Sequence, residues 1–335
     1  MRVPVVAVAI AAAVAVATAM PTAAPAQTVP EPTSIVAVGD IACQPDWPGF
    51  NKGKGKGNVC RQKYTAELAQ RLQPDQVLIL GDVQYEEGYL KDYSLVFHRT
   101  WGRRFLDRSD ATANRMWPVP GNHSYRDKDA AGYFAYFNGG TPAKPKKSGI
   151  AGTTYQGWYR KDDIPGWTLL ALNANCIYLK KGCTTRSAQY RWLQEQLKDT
   201  EQCTLAYWHE PLFNKGKEPA AHAMLPFWEL LYEARADVIL NGHDHTYQRF
   251  PRLSPQGDPD PNGPQQFIVG TGGRSLTTFA KKPSQPDVVT RSSTTTGVLE
   301  LQLGAGEYSW EFVRARYPGN GSYSDEGTAT CLPAS

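Results

Sequence analysis

The sequence predicts an α/β protein in which two mixed β-sheets pack face to face with helices outside, a four-layer α/β/β/α sandwich. Two observations carry this. Short apolar runs recur along the chain and stop abruptly, as buried strands do. Early in the chain these runs alternate with helical spacing, and from Tyr247 onward strand patterns dominate. Two packed sheets flanked by helices satisfy that order.

The elements follow in sequence. A Pro-rich linker, Pro25 to Pro32, leads into a first strand at Ile35–Val38 that ends in Gly39-Asp40. A Gly/Lys-rich loop, Gly49 to Gly57, precedes a helix over Val59 to Leu72 with Tyr64, Leu68 and Leu72 on one face. The second strand, Val77–Leu80, ends in Gly81-Asp82, and a helix is predicted from Tyr89 to Phe97. Trp117–Pro120 leads to Gly121-Asn122-His123, and Ala130 to Phe137 reads as a short aromatic helix. Thr153 to Arg160 and Trp167 to Asn173 read as strands joined by a turn at Pro165-Gly166. Ser187 to Leu197 has amphipathic helical spacing. Thr204–Trp208 runs directly into His209, a helix follows near Met224 to Ala234, and Val238–Asn241 leads to Gly242-His243-Asp244-His245. Later strands are expected at Gln266–Val269, Gly297–Leu303 and Tyr308–Arg314.

Composition narrows the class. A length of 335 residues gives ample core for one large domain or two small ones. Hydrophobic content of 41% with charged content of 20% argues against disorder, and a net charge of +4 gives no case for a nucleic-acid partner. Arg2, an apolar stretch from Val3 to Ala19 and the small residues Ala24-Pro25-Ala26 match a secretory signal cleaved after Ala26. An uncleaved membrane anchor is the rival reading. Beyond it no apolar run approaches the roughly 18 residues that span a bilayer, so no membrane contact is expected once the signal is removed. The chain therefore divides into a signal (1–26), a linker (27–32) and one domain (33–335) with a β-rich C-terminal part, exported from the cell.

Six cysteines suit an oxidising location. Proximity pairs Cys43 with Cys60 and Cys176 with Cys183, leaving Cys203 with Cys331 to tether the polar tail; sequence alone leaves the connectivity open. Soft-metal ligation is the alternative, but no Cys-x-x-Cys pair occurs.

Five of the apolar runs end in carboxylate, amide or imidazole side chains, four of them after a glycine. In open α/β sheets chemistry collects at strand ends, and glycine lets the backbone turn sharply there. Four of the six histidines fall in these blocks. Together these oxygen and nitrogen donors describe a metal site. Asp40 and Tyr85 would bring two negative charges, while Asn122, His209, His243 and His245 are neutral donors. If Asp82 bridges two ions, one of them sees three anions. A phenol with a reference pKa of about 10 ionises near neutrality only beside a strong Lewis acid, so that ion suits Fe(III) and the other a divalent ion such as Zn, Fe or Mn.

The ordered blocks Gly39-Asp40, Gly81-Asp82-x-x-Tyr85, Gly121-Asn122-His123, His209 and Gly242-His243-x-His245 resemble the calcineurin-like metallophosphoesterases. Within that superfamily the chain resembles a secreted, bacterial-type member of the purple acid phosphatase branch, because Ala42 replaces the usual ligand histidine and Tyr85 stands where the branch places its tyrosinate. The resemblance implies the four-layer sandwich of that fold. It also implies Asp40, Asp82, Tyr85 and His245 on Fe(III), and Asp82, Asn122, His209 and His243 on the divalent ion. Ala42 and Ser124 depart from the branch pattern, usually glycine and an acidic residue, at positions that are not ligands.

The function expected is hydrolysis of a small phosphomonoester by direct attack of a metal-bound hydroxide, with His123 as the leaving-group acid. A phosphodiesterase or nucleotide hydrolase would use the same site. A non-catalytic exported metal- or phosphate-binding protein is a third reading. His98 and His222 lie outside the blocks and suit packing roles, although His222 follows His209 closely enough to reach a substrate. The Lys52/Lys54/Lys56 loop is either a solvated loop or a steering surface for anions. Gly270-Thr271-Gly272-Gly273 lacks a following Gly-Lys-Ser/Thr and reads as a tight turn after a strand.

Overall fold

The computed structural model describes residues 30–110, 112–281 and 286–333, together with residues 1, 3–5, 7 and 9. The signal cleavage expected after Ala26 lies outside the described residues.

The apolar runs fold as strands covered on both faces, which is why they read as continuous rather than alternating. In chain order the strands of the two main sheets are β1 (Thr33–Val38), β2 (Gln76–Ile79), β3 (Met116–Pro118), β4 (Tyr159–Ile164), β5 (Trp167–Ala171), β6 (Cys203–Tyr207), β7 (Val238–Asn241), β8 (Tyr247–Arg252), β9 (Gln265–Val269), β10 (Thr290–Ser292), β11 (Gly297–Gly304), β12 (Glu307–Arg314) and β13 (Glu326–Thr330). One sheet has the order β13-β12-β11-β1-β2-β3 and the other β10-β8-β9-β7-β6-β5-β4. β1, β2 and β3 run parallel, as do β5, β6, β7 and β9. Antiparallel strands complete each sheet.

Successive side chains of a strand point to opposite faces, and this sorts the core into layers. Ile35 and Ala37 face the second sheet, where they meet a cluster that includes Leu205, Leu240 and Phe267. Val36 and Val38 face the other way, toward Ala66, Phe97, Trp101 and Tyr133 from the outer helices. On the far side, Ala206 and Ile239 pack against Leu193, Phe227, Trp228 and Leu231 of the helices Ala188–Gln196 and Leu225–Glu233. These are the four layers expected. Each fully buried aliphatic side chain contributes about 1.5–3 kcal/mol, so the inter-sheet layer dominates what holds the sheets in register. Ser187 starts its helix as an N-cap, its hydroxyl accepting from the Tyr190 amide.

Four segments differ from the sequence reading. The helix expected to end at Phe97 continues as a π-helical stretch, Tyr93–Gly102, and then Arg103–Phe105. Trp101 and Phe105 extend the buried row begun by Tyr93 and Phe97, while Arg99, Arg103 and Arg104 between them look like a terminus in the sequence. The strand expected at Thr153–Arg160 lies instead at Tyr159–Ile164. It is an edge strand paired only with β5, so exposed Asp162 and Asp163 are tolerated there. The helix expected from Val59 begins at Gln62, because Val59 bridges to Lys56 and Ser275. The polar tail adds the edge strand β13, which no apolar pattern announces.

All three disulfides form as proximity suggested: Cys43–Cys60, Cys176–Cys183 and Cys203–Cys331. The third fastens the tail beside β6. No helix among the described residues is long and apolar enough to cross a membrane.

Candidate metal centre

The parallel strands of both sheets deliver their C-terminal ends to one edge. There Gly39 donates to Val269 O at 2.9 Å, Asp40 to Gly81 O at 3.2 Å, and Gly242 to His209 O at 3.1 Å. The turns are tight enough that Asp40, Asp82 and His243 adopt φ of 61°, 41° and 71°. Left-handed conformations at such residues cost roughly 1–3 kcal/mol each and gather at functional sites. The glycines make room for neighbouring side chains. A Cβ on Gly81 would lie 2.4 Å from His209 Nδ1, one on Gly121 would lie 2.3 Å from Asp82 Oδ1, and one on Gly242 would lie 2.8 Å from Asp40 Oδ2.

The edge brings all seven metal-ligand candidates together. Tyr85 Oη donates to Asp40 Oδ1 at 2.7 Å and lies 2.9 Å from His245 Nε2, which is 3.4 Å from Asp40 Oδ1. His209 Nε2 is 3.3 Å from Asp82 Oδ2 and 4.0 Å from Asp40 Oδ1. His243 Nδ1 lies 3.1 Å from Asn122 Oδ1, and its amide donates to Asp40 Oδ2 at 2.8 Å. Ligating atoms of Asp40, Asp82 and His209 all lie within 4.8 Å of one another, and the three residues are buried.

Hydrogen bonds aim the imidazoles. His209 Nδ1 donates to Leu80 O at 2.7 Å, which leaves Nε2 facing the carboxylates. That nitrogen is buried without a hydrogen-bond partner, and buried polar atoms rarely stay so. His245 Nδ1 is 3.1 Å from Ser275 Oγ. His123 Nδ1 donates to Glu86 O at 2.7 Å, and its Nε2 lies 3.9 Å from Asp82 Oδ2.

The electrostatics of the donor set suit a cation. Burial pushes the Asp82 carboxyl up, but the His209 and His123 imidazoles outweigh it and hold it below the usual carboxylate range. Burial, and then the Asp40 and Asp82 carboxylates, push the Tyr85 phenol well above its ordinary value. Burial disfavours charge on His209, yet Asp82 and Asp40 outweigh it and push the imidazole up to about 10. Burial and charged His209 pull His243 down to about 4. Two carboxylates thus hold protons on neighbours whose lone pairs would otherwise take a metal.

Several neighbours carry no recognisable signature in the sequence. Arg274 pairs with the Glu86 carboxylate and lies 4.0 Å over Trp47 and 5.2 Å from the Tyr85 ring. It arrives, with Ser275, on the glycine-rich segment after β9, whose Arg274 amide donates to Asp40 O at 2.9 Å. That segment is a bend whose amides reach other strands' ends rather than a hydrogen-bonded turn, and it also supports the first ligand. Ala42 pairs through its backbone with Val83, while Ser124 Oγ accepts from the Gly121 amide at 3.4 Å, so neither departure removes a ligand. His98 lies apart, 3.0 Å from Tyr136 Oη. His222 lines a cleft of about 520 Å³ that opens beside Asn122 and His243. Lys52, Lys54 and Lys56 are exposed on the loop closed by Cys43–Cys60.

Comparison with known proteins identifies the family. Residues 33–247 match the family model of the calcineurin-like phosphoesterases. The chain is 27% identical over 228 residues to purple acid phosphatase 15 of Arabidopsis thaliana, covering 60% of this chain and 40% of that protein. It is 33% identical over 135 residues to purple acid phosphatase 22 of the same plant, covering 37% and 31%. It therefore spans less than half the length of these curated relatives. The purple acid phosphatase PPD1 of yellow lupin (Lupinus luteus) superposes with a TM-score of 0.65 at 16% identity, over 89% of this chain and 55% of that one. The match to the family model over most of the domain, on a fold of two mixed sheets that carries its polar residues at the strand ends, places this chain in the calcineurin-like phosphoesterase family, with purple acid phosphatases among its homologues.

Proposed function

We propose that the protein is an exported acid phosphatase-like hydrolase that cleaves phosphomonoesters at a dinuclear metal centre. The observation that carries the reading is the fully buried Nε2 of His209, which makes no aligned hydrogen bond and faces Asp82 Oδ2 at 3.3 Å. A ligand nitrogen held in this way, among two carboxylates, a phenol, an amide and two more imidazoles, fits a metal pair. Asp40, Asp82, Tyr85 and His245 would hold Fe(III), since a phenol pushed up by burial and two carboxylates yields its proton to a strong Lewis acid. Asp82, Asn122, His209 and His243 would hold a divalent ion such as Zn, Fe or Mn. Bound ions supply positive charge for the phosphate oxygens and activate water for in-line attack.

The chain's own contribution is positioning and a proton. The Glu86 carbonyl fixes His123 by its Nδ1 proton, leaving Nε2 to give a proton to the oxygen that departs from phosphorus. Three disulfides support export, as does the signal-like N-terminus. The test is turnover of p-nitrophenyl phosphate against bis(p-nitrophenyl) phosphate by metal-loaded protein, with Asn122→Ala and His123→Ala. Preference for the monoester, lost in both variants while they stay folded, is the expected result. Preference for the diester, or turnover that survives in both variants, contradicts it.

A further inference from the structure

The cleft beside the metal-site residues has a wall that phosphate chemistry alone does not require. Cys176–Cys183 closes a short loop that carries Ile177 and Tyr178, whose exposures are 87% and 52%. Leaving an isoleucine this exposed forgoes most of what its burial contributes, and here it lines the same cleft as Asn122 and His243. Tyr178 is braced: its ring stacks on Tyr125 at 4.6 Å and 8°. Tyr125 belongs to the turn that carries Asn122 and His123, and its hydroxyl accepts from Asn173 Nδ2 at 2.7 Å. The apolar wall is therefore anchored to the turn that bears the proton donor. The lining also includes Pro219, Ala220 and Ala221, small and without charge. The polar groups on the lining include Asn175, His222 and Glu218, and the Glu218 carboxylate opposes a second anion.

We propose that Ile177 and Tyr178 form a leaving-group subsite that selects phosphomonoesters of uncharged aromatic alcohols over those of small polar or multiply phosphorylated ones. This rests on the phosphomonoesterase reading and adds the substrate class. A ring seated there continues directly from a phosphate held near Asn122 and His243, and covers exposed apolar surface on the loop. The Glu218 carboxylate on the lining disfavours leaving groups that carry further phosphates.

The experiment compares metal-loaded wild type with Ile177→Ser/Tyr178→Ser, using phenyl phosphate and glycerol 2-phosphate. The ratio of their kcat/KM values is expected to fall about tenfold in the variant; a ratio unchanged within about twofold overturns the proposal. Binding of phenylphosphonate against methylphosphonate, by calorimetry on wild type, reads the subsite without turnover. Tighter phenylphosphonate binding supports it, and equal affinities overturn it. If the protein binds these phosphonates but hydrolyses no ester, the catalytic reading fails, while the affinity ratio still decides the subsite.

Discussion

Gly81→Ala tests how the site is built. Gly81 has φ of +87°, and alanine in the left-handed region costs roughly 1–2 kcal/mol. The added Cβ would also lie 2.4, 2.5 and 2.6 Å from Nδ1, Cγ and Cβ of His209, where ordinary contact begins at 3.4 Å. The imidazole, fully buried, must retreat by about 1 Å. Its 2.7 Å hydrogen bond to Leu80 O breaks, adding about 1–3 kcal/mol for two buried polar groups left unpaired. The sum is about 2–5 kcal/mol of lost stability. Displacing Nε2 should also weaken one ion by about 10–100-fold, the range for groups that orient ligands. Gly166→Ala is the control, with φ of +76° and nothing within 4 Å of its Cβ, so it carries only the backbone cost. Urea midpoints of the two metal-free variants, with metal titration calorimetry on each, separate the contributions. Equal midpoints and two undisturbed ions in Gly81→Ala would mean that Gly81 does not make room for His209.

Three further outcomes are expected. Asp237 is pushed up to about 6, chiefly by burial and partly offset by amide donors from Leu332 and Thr204. Its folded form holds the proton more tightly than the unfolded chain, so stability falls as pH rises from about 4 through 6, by about 2–3 kcal/mol. Relative to wild type, Asp237→Asn should gain that amount over the same range of urea midpoints, and a pH-independent difference contradicts it. Cys203→Ser/Cys331→Ser opens a link between residues 128 apart and should cost about 2–4 kcal/mol, with faster proteolysis of the tail; an unchanged midpoint contradicts it. His209, up at about 10, and Tyr85, higher still, carry protons near pH 7 that ions must displace. Metal binding should therefore release protons and strengthen with pH, read by calorimetry in buffers of different ionisation heat; pH-independent binding contradicts it.

Much of the site was legible because each strand that carries a candidate ligand is buried on both faces. Its apolar run is unbroken, and the first polar side chain after it stands at the sheet edge by geometry alone. The same rule gave the parallel strands β1, β2, β6 and β7 and the residues at their ends. It failed for β4 and β13, edge strands whose charges face solvent and leave no apolar signal. It also missed Glu86 and Ser275, which act through a backbone carbonyl and a hydroxyl, groups every sequence has in abundance. Arg274 was hidden for a different reason. Its partner Glu86 lies 188 residues away, and only the glycine-rich segment after β9 brings them together. Ile177 and Tyr178 matter through their exposure, which a sequence does not display.

Asp40, Asp82, Tyr85, Asn122, His209, His243 and His245 are proposed to hold two ions, one of them through a tyrosinate. Elemental analysis of the purified protein, combined with its visible absorption spectrum and that of Tyr85→Phe, tests it most directly. Two ions per chain, including iron, with a visible charge-transfer band that disappears in Tyr85→Phe, is the result expected. A protein active with one ion or none, or a band that survives loss of the phenol, would contradict it.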